Sequence, residues 1–193
     1  MHLPKVRRRL LQGLALLLVL GCGLLAGTAR AQAIELTQLQ TARADGALTL
    51  EFATRIQLPR AVEDALQHGV PVYFVAQAEL KRSRWYWRDE RVARVSRQWR
   101  VAYQPLTSTW RVGLGGLNQT YSTLTEAMAT VTRSAGWKIA DLSALDPDSR
   151  YYIEFNYRLD TSQLPSPMQI GLGGQADWAI GIERVLRVEP REP

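Results

Sequence analysis

Apolar and polar residues alternate along most of this chain beyond residue 46. In ALTLEFATRIQL, residues 47–58, Leu48, Leu50, Phe52, Ile56 and Leu58 share one face, and Thr49, Glu51, Arg55 and Gln57 the other. That two-residue period predicts a strand with one wet face. Asp45-Gly46 just ahead is a turn signal that joins it to an N-terminal strand over residues 34–39. The stretch 91–104 alternates again, with Ala93, Val95, Trp99, Val101 and Tyr103 sharing a face with Arg97. In RYYIEFNYRL, Tyr151, Ile153, Phe155, Tyr157 and Leu159 oppose Tyr152, Glu154, Asn156 and Arg158. The segment 70–80, VPVYFVAQAEL, starts apolar on both faces, as a strand in the middle of a sheet does. Strands over 106–114, 137–142, 169–172 and 178–188 bring the expected number to seven to nine.

Two segments change period. PRAVEDALQHG, residues 59–69, has Pro59 at a first helical position, Glu63 and Asp64 near its start and Gly69 as its stop, and predicts a helix of about two turns. YSTLTEAMATVTRS, residues 121–134, has Thr123 three residues before Glu126, the capping-box spacing. Leu124, Ala127, Met128 and Val131 form its apolar stripe, and Gly136 is its expected end. Helices this short cannot cover a large sheet. The pattern therefore predicts an all-β protein, a two-layer antiparallel β-sandwich of immunoglobulin-like type with two short helices in the linkers. The alternative is an α+β fold in which both helices cover a single sheet.

The first thirty-three residues break the pattern. A basic start, MHLPKVRRRL, an apolar run over residues 10–27 and the small tripeptide Ala31-Gln32-Ala33 predict a secretory signal peptide cleaved before Ile34. The expected location is periplasmic. An uncleaved anchor is the alternative, because the apolar run is near the shortest that spans a bilayer, about 17 residues. Cys22 follows Val19-Leu20-Gly21, with a bulky leucine where a lipoprotein signal carries a small residue, so it belongs to the apolar region. Beyond Ala33 there is no cysteine, and a single β-rich domain over residues 34–188, with a tail over 189–193, must be held by its core alone. A chain of this size buries about 68–70% of its unfolded surface, enough for such a core.

The leader also changes the meaning of the charge. The whole chain has a formal net charge of +6, but Lys5, Arg7, Arg8, Arg9 and Arg30 all lie in the leader. Of 24 basic residues 19 remain against 18 acidic ones, a net of +1, which removes the electrostatic case for nucleic acid. What remains basic is concentrated in KRSRWYWRDERVARVSRQWR, residues 81–100, with a local net of +6, so the rest of the mature chain nets −5. A segregated field of this kind steers acidic partners or anionic surfaces. Lys81, Arg82, Arg84, Trp85, Tyr86, Trp87, Arg88, Arg94 and Arg100 are the candidate interaction surface. Alternation places Trp85 and Trp87 on one face, where they are expected to pack against the domain while Arg82, Arg84 and Arg88 face a partner.

Catalytic chemistry has few residues to draw on. His68 is the one histidine beyond the leader and sits at a helix end, where capping is its expected role. No H-E-x-x-H, Cys/His cluster, cysteine nucleophile or G-x-S-x-G elbow occurs, and the pattern calls for no metal or cofactor. Asp89, Glu90, Asp141, Asp160 and Asp177 are the carboxylates left for acid–base work. They define a hydrolase of envelope glycans as the alternative function. GLGG occurs at 113–116 and at 171–174 without the lysine of a phosphate loop, which predicts sheet-edge bends or bulges.

Gly69-Val70-Pro71, Trp85-Tyr86-Trp87, Asp89-Glu90, Tyr103, Leu106-Thr107, Tyr152, Leu159-Asp160, Leu164-Pro165, Pro167 and Trp178 together resemble the DUF4390 family of exported proteobacterial proteins, across essentially the whole mature chain. Such proteins are often encoded beside a membrane histidine kinase of the nitrogen-regulation sensor type. That neighbourhood implies a role in envelope signalling, and the resemblance carries over no assigned catalytic or ligand residues. The expectation is a non-enzymatic binding or adaptor domain whose partner is a sensor kinase, another envelope protein, or an anionic lipid or glycan. A structural part in an envelope assembly is a further alternative.

Overall fold

The computed structural model describes residues 33–164 and 178–189. Among them, nine strands and two α-helices follow in chain order: β1 Ile34–Ala44, β2 Ala47–Ile56, α1 Arg60–Gln67, β3 Val72–Arg82, β4 Glu90–Gln104, β5 Thr109–Leu114, β6 Leu117–Tyr121, α2 Leu124–Val131, β7 Arg133–Asp141, β8 Tyr151–Leu159 and β9 Gly181–Val188. Short 3-10 turns lie at Leu142–Ala144 and Thr161–Gln163. The expected signal peptide with Cys22, the strand expected at 169–172, the second GLGG and Asp177 lie outside the described residues.

The strands form two antiparallel sheets, β1-β2-β7 and β6-β5-β4-β3-β8-β9. They face one another across a shared core, so the fold is the two-layer sandwich and not the single sheet of the α+β alternative. Three strands against six is a different wiring from the four and three of an immunoglobulin domain.

Phe52 of β2 joins the layers. Its ring centroid lies 5.0 Å from that of Phe155, 5.5 Å from Tyr157 and 6.1 Å from Trp99, all on the opposite sheet. Deleting such a ring costs about 3–5 kcal/mol. Across β3 and β8, Ala76 pairs with Tyr157 and Ala78 with Phe155, so each ring on β8 has a small neighbour on β3. That alternation leaves room for Phe52 between them. The Tyr157 hydroxyl donates to the Val131 carbonyl at 2.8 Å, satisfying a buried polar group, and burial pushes its pKa far above the ordinary range. Helix α1 docks through Val62, Ala65 and Leu66, and α2 through Ala127 and Val131. The described core residues lie in the compact unit Gln32–Pro193, which has a hydrophobic core of its own.

Local chemistry sets the connections. Asp45 and Gly46 both have positive φ, 50° and 72°, and make the predicted β1–β2 turn. The first GLGG is a hairpin turn as well: Gly115 and Gly116, at φ 56° and 88°, link β5 to β6, where a bend or bulge was expected. The capping box of α2 forms, with the Thr123 hydroxyl accepting from the Glu126 amide at 3.2 Å and the Glu126 carboxylate accepting from the Thr123 amide at 3.2 Å.

Several boundaries differ from expectation. β1 runs five residues past Leu39, and residues 105–108 form a turn with Leu106 exposed, so β5 starts only at Thr109. The helix stops at Val131 and β7 begins at Arg133, so Gly136 does not end the helix. With φ of 57°, Gly136 sits where the β2–β7 register shifts between Leu50 and Phe52. A residue in the left-handed region is what a strand bulge needs. In the same way, β9 starts at Gly181 and not at Trp178.

Candidate functional site

β3 and β4 pair from Val72↔Val101 to Arg82↔Glu90, and the chain between the last rungs, residues 83–89, projects as a loop. One register shift, between Leu80 and Lys81, gives β4 an extra residue just before the end. Past it the ladder closes on charge. The Arg82 Nε donates to Glu90 Oε2 at 3.0 Å, and the Arg82 and Arg84 guanidiniums share that same oxygen. Asp89 holds the inside of the loop: its Oδ1 accepts from the Arg84 amide at 3.1 Å and its Oδ2 from the Tyr152 hydroxyl of β8 at 2.5 Å. At the root, the Ser83 amide donates to the Arg150 carbonyl at 2.9 Å. These contacts tie the loop to two neighbouring elements.

The titration of these groups follows from their partners. The Tyr152 hydroxyl and then the Arg84 amide hold the Asp89 carboxyl below the usual range. The bond from Arg82 does the same for Glu90. Tyr152, whose proton is shared with Asp89 and which is partly desolvated, is pushed up to about 12.

Upon this stapled stem stand Trp85, Tyr86 and Trp87, exposed to 94%, 67% and 72%. The expectation that the two tryptophans pack against the domain is thereby corrected. Residues 83–89 lie beyond the ladder, so strand alternation does not assign them a face. Trp85 and Tyr86 meet only edge to face, with centroids 5.1 Å apart.

The cations divide into two sets. Arg82 and Arg84 are half-buried on Glu90, so neither is the free surface charge expected of it. Lys81 pairs with Glu154 of β8 at 2.6 Å, and Arg94 with Glu79 of β3 at 3.2 Å. Counting Glu79 and Glu154 lowers the local net charge from +6 to +4. Arg88 and Arg91 have no carboxylate partner among the described residues and are exposed, Arg88 next to Trp87 in the loop and Arg91 one residue after Glu90 of the last rung. Arg100 is exposed too, but it pairs with Tyr73 in the register, nine residues along β3 from Arg82. At about 3.3 Å per residue that is on the order of 30 Å from the loop. Arg100 therefore belongs to another part of the sheet.

Arg97 is different in kind. It points toward the opposite sheet, with its guanidinium carbon 5.4 Å from the Trp137 ring centroid and Nη1 donating to the Ser134 hydroxyl at 2.7 Å. Partial burial lowers its pKa.

The four described carboxylates singled out for hydrolysis, Asp89, Glu90, Asp141 and Asp160, have other employment. Asp89 and Glu90 are held below the usual range, opposite to the raised pKa that a general acid needs. Asp141 pairs with Lys138 at 2.6 Å, and Asp160 accepts from the Ser162 amide and hydroxyl at 3.1 and 2.7 Å at the start of a 3-10 turn. His68 Nδ1 lies 2.6 Å from the Asp64 carbonyl oxygen and closes the end of α1. Among the described residues no cluster of three His, Cys, Asp or Glu could hold a metal ion, and no helix is long and apolar enough to cross a membrane.

Sequence patterning missed Tyr152, Glu79 and Glu154, the residues that anchor and partly neutralise the site. They come from β3 and β8, and only strand register brings them to it. Beside the loop root lies an open groove of about 840 Å³, with Ser83, Arg150, Tyr152 and Arg187 on its walls.

A family model described as domain of unknown function (DUF4390) matches residues 31–187. No curated protein and no solved structure matches the chain.

Proposed function

We propose that this chain, which belongs to the DUF4390 family, is a non-enzymatic periplasmic binding or adaptor domain that engages its partner through the 83–89 loop. The observation that carries this reading is the contrast between stem and tip. Two arginines, two carboxylates and a tyrosine fix the stem, while three consecutive aromatic residues are left in water. Exposed Trp and Tyr with an exposed Arg88 next to them are the residue types that carry most binding energy at interfaces. Holding the loop in advance lowers the entropy cost of binding. The signal-peptide pattern of the leader supports the periplasmic location. Engagement of an envelope partner links the domain to envelope sensing.

The test is photocrosslinking in intact cells. A photoreactive residue at Trp87 is expected to give a discrete adduct, and the same residue at Thr120 on edge strand β6 none. Equal yields at the two positions, or no adduct at Trp87, would remove the loop from the function.

A further inference from the structure

We infer that the surface this loop engages is an anionic lipid bilayer, entered by the Trp85-Tyr86-Trp87 tip at the level of its headgroups. The inference rests on the binding-domain reading and names its partner. Shape is the first argument. A stable protein interface buries roughly 800 Å² on each side, whereas three aromatic side chains at 150–250 Å² each supply only about 600 Å². The tip is also convex, lying past the last rung of the ladder, and a bilayer interface needs no matching pocket to receive it.

Residue chemistry is the second. Tryptophan and tyrosine concentrate where hydrocarbon meets headgroups, because each has an apolar body and a polar edge. Arg88 follows Trp87 directly and Arg91 lies one residue after Glu90 of the last rung; both are exposed with no carboxylate partner among the described residues, so they can meet headgroup phosphates as the rings enter. Charge complementarity is the third. The loop and its root carry Arg82, Arg84, Arg88 and Arg91 against Asp89 and Glu90, a net of +2. Glu90 lies between two guanidiniums, and Asp89, which accepts from Tyr152 and the Arg84 amide, keeps its negative charge and is counted in that net. Arg150 and Arg187 stand at the same end of the large sheet, next to the loop root, with Asp146 and Glu189 on the walls of the same groove and Asp148 two residues from Arg150 in the chain.

The experiment uses the compact unit from Gln32 on, so that the apolar leader cannot bind lipid in its place. Cosedimentation is measured with phosphatidylcholine vesicles and with vesicles that also contain phosphatidylglycerol. For a net of two cations the expected preference for the anionic vesicles is roughly 30-fold. Brominated acyl chains should quench part of the tryptophan emission, and Trp85→Ser with Trp87→Ser should abolish both binding and quenching while circular dichroism is unchanged. Soluble glycerol phosphate should not compete, which separates a lipid surface from free phosphate. Equal binding to both vesicles, binding unaffected by the double substitution, or no binding at all would each overturn the inference. If vesicles fail while the Trp87 crosslinker captures a single protein, the binding-domain reading stands and its partner is a protein. If both fail, the reading falls as well.

Discussion

Asp89 and Tyr152 are the pair on which the posture of the loop depends, and their titration sets its pH range. Asp89 has a depressed folded pKa, so its contribution is present above the ordinary aspartate value of about 3.9 and is lost as pH falls through the lower folded value. Tyr152 has a raised one. Its contribution is complete below the ordinary tyrosine value of about 10 and is lost as pH rises through about 12. Between those limits both ends of the 2.5 Å bond are in the right protonation state. Amide exchange in residues 83–89 should therefore be slow and flat across the neutral range and quicken below the folded Asp89 pKa. Tyr152→Phe removes the larger cause of the depression, and carbon NMR titration of Asp89 should show its pKa rising toward the ordinary value. An unchanged titration would mean that the hydroxyl does not hold the carboxylate.

At the level of elements, legibility followed burial. β2, β4 and β8 each put one face on the core, so alternation shows through in their sequences, and β3 was readable as a central strand because Tyr73 and Val75 make its outer face apolar at the start as well. β6 was missed because LNQTY is an edge strand exposed along most of its length, and no apolar face survives to be read. Gly136 was assigned to a helix end because positive φ serves helix stops and bulges equally, and only the β2–β7 register distinguishes them. The same limit applied to the loop, where a pattern valid for ladders was carried past the last rung. β4 adds a consequence of its own. β5 pairs only with Trp99–Gln104, so the other edge of residues 90–98 carries no ladder among the described residues. Arg91 and Arg94 lie along that open edge, and charge there discourages strand addition by another copy. Replacing both with valine should produce concentration-dependent self-association in sedimentation velocity, whereas Arg100→Val, on the paired half of β4, should leave the chain monodisperse. Equal behaviour of the two variants would show that the arginines do not guard the edge.

Across the whole molecule, position along the sheet matters more than the total charge. Residues 34–193 are nearly neutral at +1, yet the loop end presents Arg88 and Arg91 with no carboxylate partner among the described residues, while Arg100 stands on the order of 30 Å away by strand rise. At 0.1 M salt the field of an exposed charge decays over about 10 Å. A surface touching the tip therefore senses the first two cations and not the third. Arg88→Gln with Arg91→Gln should remove the preference for anionic vesicles, and Arg100→Gln should leave it intact. In about 1 M salt, where the decay length is near 3 Å, the unsubstituted chain should fall to the level of the Arg88/Arg91 variant but no lower, because the aromatic contribution is not screened. Equal losses from Arg100→Gln would mean that the sheet face and not the loop meets the membrane, and the site would move to the outer face of β4.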